Sequence, residues 1–192
     1  MRIAGLLSWA IAAGLSGPAA AAAQGAFYAA AAAAEARPLG QVQRLERRFL
    51  QLTAENLRFQ GEASRLVLTR SSNPAVQELA TALAARQQAV QPEILRLLYA
   101  RGMAMPLPDN GHGKVLRQLA KVQGATLDRI YIEEVVQRSG RADIANHEKV
   151  VGTVEDLVLK AWIERQLPTL RDQMARAGKV LPGAAPRAQR AV

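Results

Sequence analysis

The chain has 192 residues, 49% of them hydrophobic, and its mean hydropathy is −0.04. This balance is typical of a soluble protein that buries a core, and it excludes a chain that is disordered throughout. Aromatic residues make up only 4% and cysteine is absent, so Leu, Val, Ile and Ala must form the core without disulfides. Such a core favours helices over sheet.

The chain is strongly basic, with 25 Lys and Arg residues against 16 Asp and Glu and a formal net charge of +9. A charge of this sign would suit anionic lipid, polysaccharide or nucleic acid. No run of basic residues is longer than Arg47-Arg48, however, which is more typical of charges spread over solvated helix surfaces.

The first 23 residues have the pattern of a signal peptide. Arg2 precedes an apolar run from Ile3 to Gly14, and Ala21 to Ala23 offers a small-residue cleavage site. The run is shorter than the roughly 20 apolar residues that a membrane span needs. We therefore expect an exported protein, periplasmic or otherwise extracytoplasmic or associated with the outer membrane, with no transmembrane segment after cleavage.

Residues 24–40 are Ala-rich and end in Arg37-Pro38-Leu39-Gly40, which predicts a linker. The apolar stripe of residues 41–70 predicts the first helix, in which Gly61 would permit close packing of a neighbour. Asn73-Pro74 predicts the start of a second helix, which runs to about Arg101. Pro92 should kink it.

Residues 103–113 are rich in Pro and Gly and predict a long crossover loop, followed by a short helix over residues 114–122. The third helix should be capped by Thr126 and continue to Gly152. Asp156 should cap the fourth, which ends near Ala177 and bends at Pro168. The basic tail, residues 179–192, is predicted to be disordered.

These elements predict an all-α fold for residues 41–178: a four-helix bundle with a long crossover loop and a short extra helix between the second and third helices. The chain also contains four short motifs whose order and spacing are typical of one protein family. They are Asn73-Pro74-x-Val76, Asp109-x-x-His112, Gly124-Ala125-x-Leu127-Asp128-Arg129-x-Tyr131 and Leu167-Pro168-Thr169-Leu170-Arg171. On these motifs, residues 49–177 resemble the ferritin-like bacterial domain of unknown function numbered four-one-four-two. The resemblance implies a ferritin-like bundle in an exported or outer-membrane protein.

The chain departs from the pattern of that family at its polar positions. Where the family typically has histidines, this chain has Gln87, Ser139 and Gln173, and the family's paired acids correspond to Gln60 and Glu62. Imidazole chemistry at these positions is therefore not expected. The question for the structure is whether Gln60, Gln87, Ser139 and Gln173 converge on one internal pocket.

A di-iron centre in such a fold needs inward carboxylates and a Glu-x-x-His pair on each of two helices. The chain has only two histidines, His112 and His147, and neither completes that motif. We expect His147 to be partly exposed, and Glu62 to pair with Arg58 and Arg65 at helical spacing. No metal or other cofactor is predicted.

The sequence also lacks the residue patterns of nucleophilic catalysis and of phosphate binding. There is no cysteine and no Gly-x-Ser-x-Gly nucleophile motif, and Gly111-His112-Gly113-Lys114 is too short for a phosphate-binding loop. Tyr131 is expected to be a core aromatic whose hydroxyl reaches a neighbouring helix. The few aromatic residues are placed for a core, which argues against nucleic-acid binding by stacking.

Three functions remain as hypotheses. The first is a non-enzymatic, exported helical-bundle protein of the cell envelope with a stress-associated role and an unidentified partner. The second is a cationic module for anionic envelope lipid or polysaccharide. The third is a degenerate ferritin-like metalloprotein. The second would use these arginines: Arg47, Arg48, Arg58, Arg65, Arg70, Arg187 and Arg190.

Overall fold

The computed structural model describes residues 39–180, so the predicted leader, most of the linker and the tail from residue 181 lie outside the described part of the chain. Within it, every regular element is helical and there is no strand, which confirms the all-α prediction. The helices are α1 (Gln41–Leu68), α2 (Pro74–Tyr99), α3 (Asn110–Leu119), α4 (the consecutive segments Gly124–Ile130, Tyr131–Arg138 and Ser139–Val151) and α5 (Leu157–Val180). The last helix thus extends two residues beyond the predicted domain end at 178.

Two predicted helix starts are confirmed by their caps. The Asn73 side chain accepts hydrogen bonds from the backbone N–H groups of Ala75 and Val76, at 3.0 and 3.4 Å. Asp156 accepts from those of Val158 and Leu159, at 2.8 and 3.1 Å. In both cases the side chain satisfies donors that the first helical turn leaves free. The predicted bends at Pro92 and Pro168, which lie inside α2 and α5, stay predictions.

Two other starts differ from the prediction. Helix α3 begins at Asn110, inside the predicted loop, because Asp109 accepts hydrogen bonds from the backbone of Gly111 at 2.8 Å and of His112 at 3.3 Å. Helix α4 begins at Gly124 rather than after Thr126. Gly124 has a φ of 57°, in the left-handed region that glycine adopts without strain, so the chain turns there and enters the helix directly.

The middle of α4, Tyr131–Arg138, is π-helical, where the sequence pattern predicted a regular α-helix. Its buried side chains include two adjacent pairs, Tyr131 with Ile132 and Val135 with Val136. Residues spaced three and four apart cover one narrow face of a helix. Because adjacent residues are buried here, a broader strip of this segment faces the core. π-Helical turns are rare and frequently occur at functional sites.

Two clusters of buried apolar side chains form the core. One cluster joins Phe49 and Leu57 of α1 to Ile94 of α2 and Ile163 of α5, and the other joins Phe59 of α1 to the first turns of α2 and the first half of α4. Between the two clusters, α1, α2 and α4 carry polar side chains that are buried, apart from Asn56, which is half-buried. This polar layer consists of Asn56, Gln60, Arg86, Gln87, Ser139, Asp143 and His147.

No helix in the described part of the chain is long and apolar enough to cross a membrane.

At Gly61, α1 and α2 pack closely. A Cβ atom at this position would lie 2.5 Å from Cγ and 2.9 Å from Cβ of Gln87, a clash that a rotation of the Gln87 side chain alone cannot relieve. The prediction that Gly61 permits close packing is confirmed.

We therefore expect the substitution Gly61→Ala to lower the free energy of unfolding by about 1–3 kcal/mol, the usual cost of overpacking a filled interior. Urea unfolding followed by circular dichroism would measure it. Gly178→Ala is the matched control, because a Cβ at that helical position meets nothing within 4 Å. The control should be neutral or stabilise by up to about 1 kcal/mol. Equal effects of the two substitutions would contradict the packing argument.

Candidate functional site

The centre of the polar layer is a buried charge cluster formed by Arg86, Asp143 and His147. Arg86 belongs to α2, and Asp143 and His147 lie one turn apart on the same face of α4. The exposed fractions of these three residues are 7%, 1% and 0%. Arg86 Nη1 lies 4.0 Å from Asp143 Oδ2, and His147 Nδ1 lies 3.9 Å from Asp143 Oδ1. Three ionisable groups are thus gathered where water does not reach.

This cluster leaves an unusual number of polar atoms without a hydrogen-bond partner. Among the described residues, no hydrogen bond of normal length and angle is found for the three guanidinium nitrogens of Arg86, both carboxylate oxygens of Asp143, or Nε2 of His147. Asn56 comes close enough to the Asp143 carboxylate to lower its pKa. At 4.0 Å the Arg86–Asp143 pair attracts electrostatically but is too long for a hydrogen bond. Since buried polar groups are normally paired, this cluster is the costliest part of the interior.

The protonation states follow from burial and from one hydrogen bond. His147 Nδ1 lies 2.7 Å from the backbone oxygen of Asp143, and because a carbonyl oxygen only accepts, Nδ1 carries the proton. Burial lowers the pKa of His147, with Asp143 opposing the shift, so the imidazole is neutral at pH 7. Burial raises the pKa of Asp143, opposed mainly by Arg86. Burial also lowers the pKa of Arg86, again against Asp143.

The expectation that His147 is partly exposed was wrong. Its ring packs edge-on against Phe49, with ring centroids 4.9 Å apart, and against Trp162 at 5.8 Å. Arg86 and Asp143 do not stand out in the sequence, since each is a single charge in a polar stretch. The available signal was the helical spacing of Asp143, His147 and Val150, which places all three on one face.

The positions at which the chain departs from the family that it resembles converge in part. Gln60 Nε2 donates to Ser139 Oγ at 2.9 Å, and Ser139 Oγ donates to Asn56 Oδ1 at 3.2 Å. Gln60 and Gln173 line one small cavity of about 10 Å³, which is at the lower limit for a single water molecule. Gln87 does not line it. Its amide oxygen accepts from Arg65 Nη1 at 2.7 Å, and its amide nitrogen donates to Gln91.

Tyr131 is fully buried in the π-helical segment, and its hydroxyl lies 2.8 Å from Ser64 Oγ of α1. Ser64 Oγ in turn donates to the backbone oxygen of Gln60 at 2.6 Å. Burial raises the pKa of Tyr131, so the phenol stays neutral. The prediction of a core aromatic that reaches a neighbouring helix is confirmed.

His112 lies away from the polar layer, at the start of α3. Its ring stacks on Phe59, with centroids 4.2 Å apart and an angle of 5° between the rings. Burial lowers its pKa, with Asp109 and Glu55 opposing the shift. Asp109 is occupied in capping α3, so these two residues of the Asp109-x-x-His112 motif hold the helix against α1.

Most arginines of the proposed cationic module make internal contacts. Arg47 donates to the backbone oxygen of Arg101 at 2.6 Å, and Arg70 donates to that of Leu119 at 3.0 Å. Arg58 donates to the backbone oxygen of Pro106 at 3.2 Å and pairs with Glu62 at 3.6 Å. The expected pairing of Glu62 with Arg65 was wrong, because Arg65 binds Gln87 instead. These side chains secure loops and helix ends.

The donor set does not fit a metal centre. No group of three or more His, Cys, Asp or Glu residues that could hold a metal ion is found among residues 39–180. In the polar layer, a guanidinium stands beside the carboxylate of Asp143, where a bound metal would need further anionic or neutral donors.

These features define an all-helical domain whose interior is crossed by a layer of polar and charged side chains. A family model described as "Domain of unknown function (DUF4142)" matches residues 29–180, and the chain belongs to that family. This match confirms the resemblance found in the sequence. No curated protein and no solved structure matches the chain.

We expect Arg86→Met to destabilise the fold by about 3–5 kcal/mol, because it leaves the Asp143 carboxylate buried without a counter-charge. Asp143→Leu should have a similar cost. The double substitution Arg86→Met/Asp143→Leu should cost far less than the sum, since two apolar side chains can fill the same space. Denaturant unfolding of the four proteins in the cycle would measure the coupling. Additive effects would show that the pair does not interact.

The lowered pKa of His147 predicts a pH-dependent stability. The histidine of the unfolded chain takes up a proton near pH 6.5, whereas folded His147 does so only at lower pH. The free energy of unfolding should therefore fall as the pH drops from 7.5 to 5, by up to about 1.4 kcal/mol per pH unit. Urea unfolding at a series of pH values would measure this slope.

The chain has only one other histidine, and the pKa of that residue, His112, is lowered too, so the comparison is best made in a His112→Gln background. Adding His147→Gln to it should remove the fall in stability that His147 causes below pH 6.5. Asp143, whose raised pKa acts in the opposite direction, remains, so the stability of the double variant should stay level or rise as the pH drops. An unchanged slope after removal of His147 would rule out this assignment.

Proposed function

We propose that this chain is a non-enzymatic, exported protein of the bacterial cell envelope, folded as a ferritin-like four-helix bundle and acting, in a stress-associated role, by binding a partner. The observation that carries the proposal is the Arg86 guanidinium, 4.0 Å from the Asp143 carboxylate, in the middle of the helical interior. In a ferritin-like bundle the metal ligands project into this region. A protein cation there serves as the counter-charge to the carboxylate.

The bundle architecture is supported by four long helices whose apolar faces meet in two stacked clusters. Residues 103–109 and the short helix α3 connect the second of these long helices to the third, as the crossover connection of such a fold would. Family membership over residues 29–180 is consistent with this architecture.

The non-enzymatic role is supported by the lack of access to the polar layer. Gln60, Asp143 and His147 are at most 3% exposed, and the cavity that Gln60 lines is too small for an organic substrate. The export part of the proposal rests on the signal-peptide pattern of residues 1–23, which lie outside the described residues.

The cationic binding module is the second candidate, and the net charge of +9 favours it. Of its arginines in the described part of the chain, Arg48 and Arg65 are exposed. All of them except Arg48 bind the protein itself, so an anion-binding face has to be sought elsewhere on the surface. The degenerate metalloprotein is the third candidate, and it shares one experiment with the first.

We expect the full chain, expressed with its own leader in a bacterial host, to be recovered from the periplasmic fraction with a mass that corresponds to cleavage near Ala23. The same preparation should contain iron, manganese and zinc at well below one atom per chain, because the polar layer offers a cation instead of a ligand set. Mass spectrometry and elemental analysis are the measurements.

A chain that lacks residues 2–23 is the control for export and should stay in the cytoplasm. Recovery of the uncleaved full chain from the cytoplasm would overturn the export part of the proposal. A stoichiometric metal that is lost in Asp143→Leu would instead establish the metalloprotein.

A further inference from the structure

An open groove lies between the C-terminal half of α2 and the first half of α5. Its volume is about 530 Å³, within the range of small-molecule sites. Leu97 and Ala161 form part of its walls, with Leu157 and Val158 at the start of α5. Leu157 and Val158 are 78% and 70% exposed, two adjacent apolar side chains left in water beside a concave apolar surface.

Trp162 lines this groove with a small part of its ring, since only 4% of the residue is exposed. Its indole N–H donates to Glu93 Oε2 at 2.8 Å, and the same oxygen accepts from Arg165 Nη2 at 2.9 Å. On its other side the indole packs on His147, so the ring cannot swing away. A wall held from both sides is pre-organised, which lowers the cost of binding.

The charged side chains around the groove favour an anion. The charged residues that line the groove are two cations, Arg96 and Arg165, and one anion, Glu93. The Glu93 carboxylate already binds Arg165 and the Trp162 indole N–H. The Arg96 side chain is exposed, and no partner for it is found in the described part of the chain. A second groove, of about 490 Å³, lies between the other ends of α2 and α5. It is lined by two acids, Glu78 and Asp172, and two bases, Arg176 and Lys179, so it has no excess positive charge to attract an anion.

We propose that the α2–α5 groove at Trp162 binds a single-chain anionic amphiphile, a fatty carboxylate. The acyl chain lies on the exposed Leu157 and Val158, next to the small accessible parts of Leu97 and Trp162, and the carboxylate meets Arg96. This inference deepens the proposed interaction role by naming a ligand class. Its failure would leave the export and metal measurements unaffected, so the two proposals can fail separately.

The groove carries its own reporter, because the chain has two tryptophans and the second is Trp9, in the predicted leader. In the full chain with Trp9→Phe, titration with laurate below its micelle concentration should shift the Trp162 emission with a dissociation constant on the order of 10–100 µM. Dodecyltrimethylammonium, with the same chain length and the opposite charge, should bind at least about tenfold more weakly.

Leu157→Glu should weaken laurate binding at least about tenfold, because it puts a carboxylate on the apolar wall. A Glu in the first turn of α5 favours the helix, so the variant should fold. Leu107→Glu is the matched control: Leu107 is 84% exposed and lies outside the groove. Arg96→Gln should reduce the preference for laurate over the cationic amphiphile.

Equal laurate affinities in Leu157→Glu and Leu107→Glu, or equal binding of the two amphiphiles, would overturn the proposal. So would a dimer, detected by analytical ultracentrifugation, that Leu157→Glu abolishes while laurate has no effect. That result would make the groove a contact between copies of the chain.

Discussion

The attraction between Arg86 and Asp143 is the interaction on which the interior of this protein depends. Both charges are buried, both lack hydrogen bonds of normal length and angle among the described residues, and they face each other across 4.0 Å from α2 and α4. Either charge alone would destabilise the fold, because the free-energy cost of removing an unpaired charge from water exceeds the gain from packing its side chain. Together they fix which turn of α2 lies beside which turn of α4.

The rest of the polar layer extends the same constraint to α1. Gln60 and Asn56 of α1 form hydrogen bonds with Ser139 of α4. Because Gly61 has no Cβ, α1 can also pack directly against Gln87 of α2. The apolar clusters above and below can then pack without setting the register. The π-helical segment of α4 fits this arrangement, because it turns a broader strip of the helix toward the core just before the layer begins.

The sequence predicted the parts of this structure that local chemistry decides. Apolar spacing and the caps at Asn73 and Asp156 placed the long helices, because both signals act within a few residues. The sequence pattern misplaced the start of α3. The Pro and Gly residues there predicted a loop, but the Asp109 side chain caps a helix that begins at Asn110. The pattern could not show that Arg86 meets Asp143, since that contact joins residues 57 positions apart through the tertiary fold. His147 was misjudged for the same reason, because burial by Phe49 and Trp162 is not a local property.

Trp162 links the interior to the surface in one side chain. One side of its indole packs on His147, and its N–H is held by Glu93 at the edge of the open groove. A tryptophan is well suited to such a position, since its large apolar ring needs a partner only for one polar atom. The arrangement explains why Leu157 and Val158 can remain exposed beside it without cost to the core. The neighbouring Leu159 and Ile163 of α5 are fully buried, so the core is filled there without Leu157 and Val158. The groove is therefore free to serve binding, while the Arg86–Asp143 pair serves the fold.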